Sequence, residues 1–395
     1  MVTNKELNKL NVPHLRFPEF HGEWEKCKLG DIATLTKGSG ISKDQRSATG
    51  TPCILYGELY TTYKSEVIDY VVSKTDISDK NLVRSSANDI IIPSSGETAI
   101  DISTARCVLS PDVLLGGDLN IIRLKDGDGR FFSYQLNGVR KHDIAKIAQG
   151  VSVVHLYGES IKGLTVSFPS NKEQQKISTL LSLIDERIAT QSKLIEDLKK
   201  LKSAIIEKLY SEIQGKEYSY RQLFEIINER NNRLEFSNVL SASQERGMVS
   251  REDLNLDIKF ERSNIYTYKI VRNGDYVIHL RSFQGGFAFS DIVGVCSPAY
   301  TIMRPKDLLE YGYLSYYFTS RQFIKSLVIV TYGIRDGRSI NVDEWFDMKI
   351  VIPTKEQQRH IVRTIKVFEN KIENEEMYAS CLLKQKQHLL RQMFI

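Results

Sequence analysis

Residues 169–188 read PSNKEQQKISTLLSLIDERI, and residues 353–372 read PTKEQQRHIVRTIKVFENKI. At an offset of 184 residues three pairs align: Pro169 with Pro353, Ile177 with Ile361, and Ile188 with Ile372. The KEQQ tetrad slips by one residue between the stretches, so the copies are related rather than identical. Self-similarity at a fixed distance indicates a repeated structural unit. We therefore predict that the chain consists of two copies of one unit.

Each stretch continues as a long amphipathic helix. Apolar residues recur at steps of three and four, Lys and Glu fill the outer positions, and neither Pro nor Gly interrupts either run before Gly215. This pattern is typical of a coiled-coil seam. In the first helix the predicted seam runs from Ile177 to Leu209 and includes Leu201. The residues predicted to form the coiled-coil interface are Ile184, Ile188, Leu198, Ile205, Ile365, Phe368, Ile372, Leu382 and Leu389.

The segments before the two helices also correspond to each other. The similar pairs are CKLGDIATL at 27–35 with RQLFEIINE at 221–229, NDIIIPSS at 88–95 with GDYVIHLRS at 274–282, and FFSYQLNG at 131–138 with YLSYYFTS at 313–320. Short β-rich runs alternate with helical pieces, which indicates an α+β globule in each copy. The predicted order is a first globular domain at 1–170, a first spacer helix at 171–214, a second globular domain at 215–353 and a second spacer helix at 354–395.

Helix geometry predicts how these parts are arranged. A helix of about 40 residues is roughly 60 Å long, so it carries the second globule away from the first. The second helix has one apolar seam to bury, and running back along the first helix buries both seams. The predicted fold is two similar α+β domains joined by two long helices in an antiparallel coiled coil with pseudo-twofold symmetry. That symmetry suits a bipartite target, since two reading heads on one face of DNA need separations of roughly 34–36 Å or a small multiple.

Composition limits the class of protein. With 395 residues, 41% hydrophobic and 26% charged, the chain reads as two or three globular domains rather than a disordered protein. No apolar run is long enough to span a membrane, and residues 1–17 show no signal-peptide stretch. The five cysteines are scattered without a CxxC pair. We expect a cytoplasmic protein with reduced thiols and no membrane partner. The net charge of +5 raises the expectation of nucleic-acid binding only slightly.

Four segments resemble the specificity subunits of type I restriction-modification systems. They are VPHLRFPEFHGEWEKCKLGDIA, HLYGESIKGLTVSFP with the following EQQKI, VLSASQERGMVSRED, and YVIHLRSFQGGFAFSDIVGVCSPAY. The resemblance extends over nearly the whole chain. It implies that the two globular domains are target recognition domains, each reading half of a split DNA sequence. It also implies that the two helices are conserved regions that space these domains and dock modification subunits.

The resemblance further implies a set of partners. These are double-stranded DNA, two modification (methyltransferase) subunits and, for cleavage, restriction subunits that act as ATP-dependent nucleases and translocases. This chain would be a non-catalytic specificity subunit that binds no cofactor, with S-adenosylmethionine, ATP and Mg on the partner subunits. One departure is the start of the second helix, which has RHIVRT where the first has KISTLL and is more polar.

The residues themselves give little support to catalysis. The sequence has no GxxxxGK[ST] phosphate loop, and the tetrad nearest to an amino-methyltransferase motif, SPAY at 297–300, departs from it at the first and third positions. DGDGRF at 126–131 begins like a calcium loop but has Arg130 and Phe131 where Asp or Asn and Gly are needed. The seven histidines show neither HxxxH spacing nor a nearby cysteine, so no metal site is predicted. His155 reads either as a packing residue or as a DNA or junction contact.

DNA recognition requires cations for phosphates and Arg, Gln, Asn or Ser for base edges. Three loops of each domain supply such residues at corresponding places. In the first domain the predicted DNA-binding residues are Lys37, Ser39, Lys43, Ser94, Ser95, Glu97, Gln149 and Ser152. In the second domain they are Gln244, Arg246, Arg281, Ser282, Gln284, Tyr332, Arg335 and Arg338. The second set is richer in Arg, which favours guanine, so we expect the two half-sites to differ.

Two other functions stay open at this point. The chain could be a non-enzymatic coiled-coil scaffold with two protein-binding globular domains. A weaker third possibility is an enzyme with unfamiliar chemistry. Enrichment of a gapped motif from random duplex DNA distinguishes the DNA reader, because a scaffold would enrich no sequence.

Overall fold

The computed structural model describes residues 11–78, 81–243, 246–254, 262–279, 286–332 and 339–395. The chain divides into two compact units: unit 1 comprises residues 1–193 and 377–395, and unit 2 comprises residues 194–376. Each unit contains an α+β globular part together with a segment of each of two long helices. The predicted α+β class with two long helices is confirmed.

Short strands and helices alternate in the globular part of unit 1. Its strands are β1 (Glu25–Lys28), β2 (Ala33–Lys37), β3 (Arg46–Ser47), β4 (Thr51–Ile54), β5 (Val67–Ile68), β6 (Lys74–Thr75), β7 (Asp89–Pro93), β8 (Ser95–Gly96), β9 (Arg106–Val108), β10 (Leu114–Leu115), β11 (Leu119–Leu124), β12 (Val154–His155) and β13 (Thr165–Phe168). Its helices are α1 (Leu29–Ile32), α2 (Glu58–Thr61), α3 (Ala99–Ile102), α4 (Gly129–Asn137), α5 (Lys141–Ile147) and α6 (Gly158–Lys162), with a 3-10 turn at Lys43–Gln45. The first long helix, α7 (Asn171–Ser211), follows.

The main sheet of unit 1 has the strand order β2-β11-β7-β9-β5, with β11 antiparallel to both of its neighbours. Strand β7 is buried along its whole length because the sheet has apolar cores on both faces. Ile90 and Ile92 pack into the core that contains Trp24 and Phe131, and Ile91 packs into the core on the other side. A strand covered on both faces needs a continuous apolar run rather than an alternating one, which explains the sequence IIIP.

Strands and short helices also alternate in the globular part of unit 2. Its strands are β14 (Lys216–Ser219), β15 (Phe224–Ile227), β16 (Leu240–Ser243), β17 (Gly247–Ser250), β18 (Lys269–Val271), β19 (Tyr276–Ile278), β20 (Phe287–Phe289), β21 (Gly294–Cys296), β22 (Thr301–Pro305), β23 (Thr331–Tyr332), β24 (Ser339–Ile340) and β25 (Lys349–Ile352). Its helices are α8 (Tyr220–Leu223), α9 (Tyr313–Tyr317), α10 (Arg321–Ser326) and α11 (Val342–Asp347), with 3-10 turns at Arg251–Leu254, Arg262–Thr267 and Leu327–Val330. The second long helix, α12 (Lys355–Gln392), ends the chain apart from its last three residues.

The strand pairing of unit 2 repeats that of unit 1. Its main sheet has the order β15-β22-β19-β20, so β22 lies between β15 and β19 as β11 lies between β2 and β7. Strand β14 pairs with β25 just before α12, as β1 pairs with β13 just before α7. The core is more aromatic than in unit 1, with the Tyr220 and Trp345 rings stacked at 4.1 Å. Duplication therefore extends to sheet topology.

The equivalence of the first helices differs from the one read from sequence. Helix α1 begins at Leu29, whose N–H donates to the Leu164 carbonyl, and α8 begins at Tyr220, whose N–H donates to the Met348 carbonyl. Leu29 thus matches Tyr220, whereas the alignment of 27–35 with 221–229 matched Leu29 with Leu223. That alignment was wrong by three residues. It matched similar residue types, whereas the structural equivalence follows from the backbone hydrogen bonds made by the first residue of each helix.

Two buried glutamines explain the slipped KEQQ tetrad. Gln174 in α7 donates to the Pro169 carbonyl at 2.8 Å and accepts from the Asp128 N–H at 3.0 Å. Gln358 in α12 donates to the Pro353 carbonyl at 3.0 Å and accepts from the Glu310 N–H at 2.8 Å. The two residues are 184 positions apart, like the prolines. Gln174 is the first Gln of its tetrad and Gln358 is the second Gln of its tetrad. The buried position is therefore conserved between the copies although the tetrads are offset by one residue.

Within each unit the two long helices run antiparallel. In unit 1, Asp185 contacts Lys386 and Arg187 contacts Tyr378, so the residue number rises on α7 as it falls on α12. In unit 2, Lys199 pairs with Glu376 at 2.7 Å and Lys202 with Glu369 at 3.4 Å, which follows the same direction. The predicted antiparallel pairing is confirmed.

All nine residues predicted for the coiled-coil interface are buried or half-buried. Ile184, Ile365, Ile372 and Leu382 are buried, and the remaining five, Ile188, Leu198, Ile205, Phe368 and Leu389, are half-buried. Leu201, which the extended seam included, is 48% exposed, whereas Ile206 is 5% exposed. An α-helix turns 100° per residue, so strict steps of three and four drift off the buried face over a long run. None of the described helices combines the length and apolarity that a membrane span needs.

Candidate nucleic-acid interface

Two of the predicted loops of unit 1 meet at one end of its main sheet. The Gly38 N–H donates to the Leu119 carbonyl at 3.0 Å, and the Ser94 N–H donates to the Asp118 carbonyl at 2.8 Å. The ends of β2 and β7 therefore lie on either side of the start of β11. This arrangement brings Lys37 and Ser95 to the same end of the sheet.

The third loop of unit 1 is a hairpin bonded to the loop that follows β7. Gln149 and His155 exchange backbone hydrogen bonds of 2.9 and 2.7 Å, and the Leu156 N–H donates to the Ser94 carbonyl at 2.9 Å. Strand β12 pairs with β8, so His155 lies opposite Ser95. The tip residue Val151 is 98% exposed. The base of this hairpin is fixed to the sheet, and its tip extends into solvent.

The predicted residues of unit 1 differ in how free their side chains are. Five are exposed: Lys37, Lys43, Glu97, Gln149 and Ser152. The Ser39 hydroxyl accepts from the Val83 N–H at 2.7 Å, and Ser94 is 7% exposed, so both have structural contacts. Lys43 lies in the 3-10 turn before β3, where its carbonyl accepts from the Arg46 side chain, and nothing ties it to the hairpin. His155 is exposed and its ring stacks on Tyr157 at 6.2 Å.

In unit 2 the described residues next to the three predicted loops lie in paired strands or beside them. Arg246 is exposed in the turn between β16 and β17, where its N–H donates to the Ser243 hydroxyl at 3.3 Å. The His279 N–H donates to the Gly286 carbonyl at the base of the β19–β20 hairpin, and Tyr332 ends β23 opposite Ser339. The remaining predicted residues lie outside the described residues: Gln244, Arg281, Ser282, Gln284, Arg335 and Arg338.

One pair of corresponding loops leaves equivalent strands in the two units. Residues 94–97 follow β7, and residues 279–286 follow its counterpart β19. At the other end of these strands each unit has a paired carboxylate: Asp89 accepts from Arg123 at 2.8 Å, and Asp275 accepts from Arg304 at 2.8 Å. These hydrogen bonds raise the pKa of both arginines. The ion pairs fix the buried end of the strand, so the polar loops extend from a rigid support.

The described residues show no sign of a catalytic centre. Burial raises the pKa of the Cys53 thiol to about 11 and that of the Cys296 thiol to about 12, so both stay protonated at neutral pH and are poor nucleophiles. Over the described ranges no group of three or more His, Cys, Asp or Glu side chains is arranged to hold a metal ion.

Sequence reasoning missed a buried polar cluster in unit 1. The Tyr134 hydroxyl of α4 donates to the Asp185 carboxylate of α7 at 2.8 Å, and the Lys386 ammonium of α12 donates to the same carboxylate at 2.5 Å. Lys386 also pairs with Glu66, and the Ser65 hydroxyl donates to Asp185 at 2.9 Å. We refer to Tyr134, Asp185 and Lys386 as junction triad 1.

Unit 2 has the same cluster at equivalent positions. The Tyr316 hydroxyl of α9 donates to the Glu369 carboxylate of α12 at 2.8 Å, and Lys202 of α7 lies 3.4 Å from that carboxylate. We refer to Tyr316, Glu369 and Lys202 as junction triad 2. In each long helix the carboxylate precedes the lysine by 17 residues, and each tyrosine follows a serine in the similar segments FFSYQL and YLSYYF. These two signals together could have revealed the triads from the sequence.

Comparison with known proteins shows what the chain is similar to. Residues 21–200 match the family model described as the type I restriction modification DNA specificity domain. The putative type I restriction enzyme MjaX specificity subunit of Methanocaldococcus jannaschii is 23% identical over 92% of this chain and 91% of its own length. The MjaVIII specificity subunit of the same organism is also 23% identical, over 93% of this chain and 91% of its own length.

The chain is thus similar to type I restriction enzyme specificity subunits along more than nine-tenths of its length. Solved structures share its fold. The crystal structure of a type I restriction-modification S subunit from M. genitalium has a TM-score of 0.57 at 16% identity, covering 97% of this chain and 99% of that one. A chain from a structural study of complex assembly in the type I R-M system has a TM-score of 0.61 at 14% identity, with the same coverage. The matched region, 21–200, contains the whole loop surface of unit 1.

Proposed function

We propose that this protein is the DNA-recognition subunit of a type I restriction-modification complex and that each unit reads one half of a bipartite target. The observation that carries the proposal is the repeated placement of polar loops. In both units a polar loop leaves the same end of an equivalent strand, residues 94–97 after β7 and residues 279–286 after β19, and the chain resembles specificity subunits along nearly its whole length. A protein with two recognition domains combines two modest preferences into one strong preference for the complete target. Each mismatched base pair in either half costs about 1–3 kcal/mol of binding free energy.

The proposed mechanism is selective binding rather than catalysis by this chain. Exposed Lys37, Gln149 and Arg246 have the chemistry for phosphate and base-edge contacts. The antiparallel helices would hold the two readers at a fixed gap. The target base would be presented to a methyltransferase subunit, which must take it out of the stack to reach it.

The proposed partners are double-stranded DNA, two modification subunits and restriction subunits. S-adenosylmethionine, ATP and Mg would be bound by those partners, and the complex would work in the cytoplasm. Apolar side chains exposed on the long helices support a docking surface for the modification subunits. They are Leu183, Leu194, Leu201, Val367, Met377 and Leu383. Such side chains favour burial against a partner, whereas the Lys and Glu side chains around them favour solvent.

Selection from a random duplex pool tests this function. The full chain should enrich a motif with two specified halves and a constant gap. Gln149→Ala should relax one half only and Arg246→Ala the other, since these residues lie in different units. Gln175→Ala serves as the control, because Gln175 is exposed on α7 and lies away from the loop surface.

The outcomes separate the competing functions. Equal loss of affinity for all sequences would make Gln149 or Arg246 a phosphate or folding contact. Failure of the unaltered chain to enrich any gapped motif would instead favour the coiled-coil scaffold with protein-binding domains.

A further inference from the structure

We propose that the two junction triads are positioning residues, which fix the orientation of each recognition domain on the helix pair and thereby the gap allowed between the two half-sites. This inference rests on the proposed function and adds a device that sets its geometry. None of the six residues lies in the loops assigned to DNA.

Each triad joins three elements of one unit at a single carboxylate. In unit 1 the carboxylate is on α7, the tyrosine on the globular helix α4 and the lysine on α12. A contact between two elements leaves them free to pivot, whereas a shared contact among three restrains the globular part against both helices. Bonds in which one partner is ionised are short and directional, which suits them to holding an angle.

The same three kinds of side chain meet in unit 2, but the carboxylate and the lysine lie on the opposite long helices. In unit 2 the carboxylate is on α12 and the lysine on α7, and a glutamate replaces the aspartate. Burial raises the pKa of Tyr134 and of Tyr316, so both hydroxyls stay protonated and remain donors. Apolar packing alone would not require a tyrosine, a carboxylate and a lysine at the same three places twice. The repetition indicates selection for a specific geometry at the domain–helix junction.

The two triads differ in how firmly they are supported. Asp185 in triad 1 also accepts from Ser65, and its lysine is shared with Glu66. In triad 2, Lys202 lies at 3.4 Å from the carboxylate and is 29% exposed. Removing the tyrosine hydroxyl therefore leaves triad 1 with two polar contacts to Asp185 and triad 2 with a single long one. The orientation of the unit 2 globular part should therefore depend more on Tyr316 than that of the unit 1 globular part depends on Tyr134.

The experiment measures gap length and stability for Tyr134→Phe and Tyr316→Phe in the full chain. Duplexes are selected from a pool with random half-sites and gaps, and the share of sites whose gap is one base pair too long or too short is counted. For Tyr316→Phe we expect this share to rise about fivefold, the scale of one lost hydrogen bond, and for Tyr134→Phe about twofold. The bases selected in both halves should not change.

Thermal unfolding should rank the two variants in the opposite order. Tyr134 is fully buried and Tyr316 is half-buried, so Tyr134→Phe should lower the melting temperature more. A role in stability alone would give the same order in both measurements. The controls are Tyr63→Phe and Tyr311→Phe, which remove hydroxyl hydrogen bonds within one globular part and should leave the gap unchanged.

Two results would overturn the proposal. If both triad variants keep the gap distribution of the unaltered chain, the triads stabilise the fold and do not position the domains. If the unaltered chain selects no gapped motif, the proposed function fails and the positioning role fails with it.

Discussion

Lys386 and Lys202 occupy equivalent positions of the two long helices, 184 residues apart, and each contacts a carboxylate that also accepts from a tyrosine. Their surroundings differ. The Lys386 side chain is 11% exposed and lies between two carboxylates that are 8% and 10% exposed, whereas Lys202 and Glu369 are 29% and 37% exposed. The comparison separates chemistry from environment, because the interacting groups are nearly the same and only their burial differs.

Burial should determine the energetic importance of each lysine. A buried charge that loses its partner keeps its full desolvation penalty, whereas an exposed one is solvated by water. In unit 1, burial and Asp185 raise the pKa of Glu66, and Lys386 opposes that shift. Burial also lowers the pKa of the nearby Arg106. These shifts indicate that unit 1 tolerates its charges only as a balanced set.

The largest effect expected from this comparison is that of Lys386→Met. The change leaves Glu66 and Asp185 buried with no lysine between them, so the free energy of unfolding should fall by about 3–5 kcal/mol. Urea denaturation of the full chain measures the loss, and hydrogen exchange should assign it to peptides of unit 1. A loss below 1 kcal/mol would contradict the importance of burial.

The pH dependence of the same variant provides its control. A carboxyl whose pKa is raised in the folded state stabilises the fold once it is protonated, and that stability is lost as the pH rises through the folded pKa. Without Lys386 the pKa of Glu66 should rise further, so the deficit of Lys386→Met should shrink as the pH is lowered from 8 towards the ordinary carboxyl pKa of 4.5. In Lys386→Met combined with Glu66→Gln this recovery should be smaller. A deficit that stays constant with pH would show that lost packing, not charge, causes the destabilisation.

Much of the helical part of this architecture could be predicted from the sequence. The offset of Pro169 and Pro353, together with the apolar spacing after them, was enough to place two long antiparallel helices and most of their buried face. Those features depend on periodicity, which a single sequence displays directly. The α+β character of each globule followed in the same way from its short β-rich runs.

Contacts that depend on distant residues could not be predicted in that way. Glu66 reaches Lys386 across 320 residues, and nothing in the sequence around it differs from an ordinary acidic loop. Leu201 and Ile206 are both apolar and both fit a seam, so only packing decides that Ile206 is the buried one. The DNA-binding residues remain predictions for the same reason, because their partner lies outside the chain.

Replacing the buried glutamines Gln174 and Gln358 should have an intermediate effect on the free energy of unfolding. These residues test the comparison at a pair of positions that are equally buried in the two units. Gln174 is 2% exposed and Gln358 is 0% exposed, so burial matches between the units, although Gln358 also donates to the Leu308 carbonyl at 3.0 Å. Replacing either by Leu leaves a backbone N–H and a proline carbonyl without a partner, which should cost about 1–3 kcal/mol. The loss for Gln358 should be at least as large as that for Gln174, because the Leu308 carbonyl also loses its donor. Urea denaturation with unit-resolved hydrogen exchange measures both. Gln175→Leu is the control, since Gln175 is exposed, and a clearly larger loss for Gln174 than for Gln358 would show that factors other than burial and hydrogen bonding separate the units.

The smallest expected effect is that of Lys202→Met. Its carboxylate partner is partly solvated and keeps the hydrogen bond from Tyr316, so the free energy of unfolding should fall by about 0–1 kcal/mol. The loss should diminish further in high salt, because a solvated pair is screened, whereas that of Lys386→Met should persist. Lys200→Met, which removes a pair made only with Glu196 on the same helix, is the matched control. A loss for Lys202→Met as large as that for Lys386→Met would mean that water does not reach triad 2 as its exposure implies, and that the two junctions are energetically equivalent.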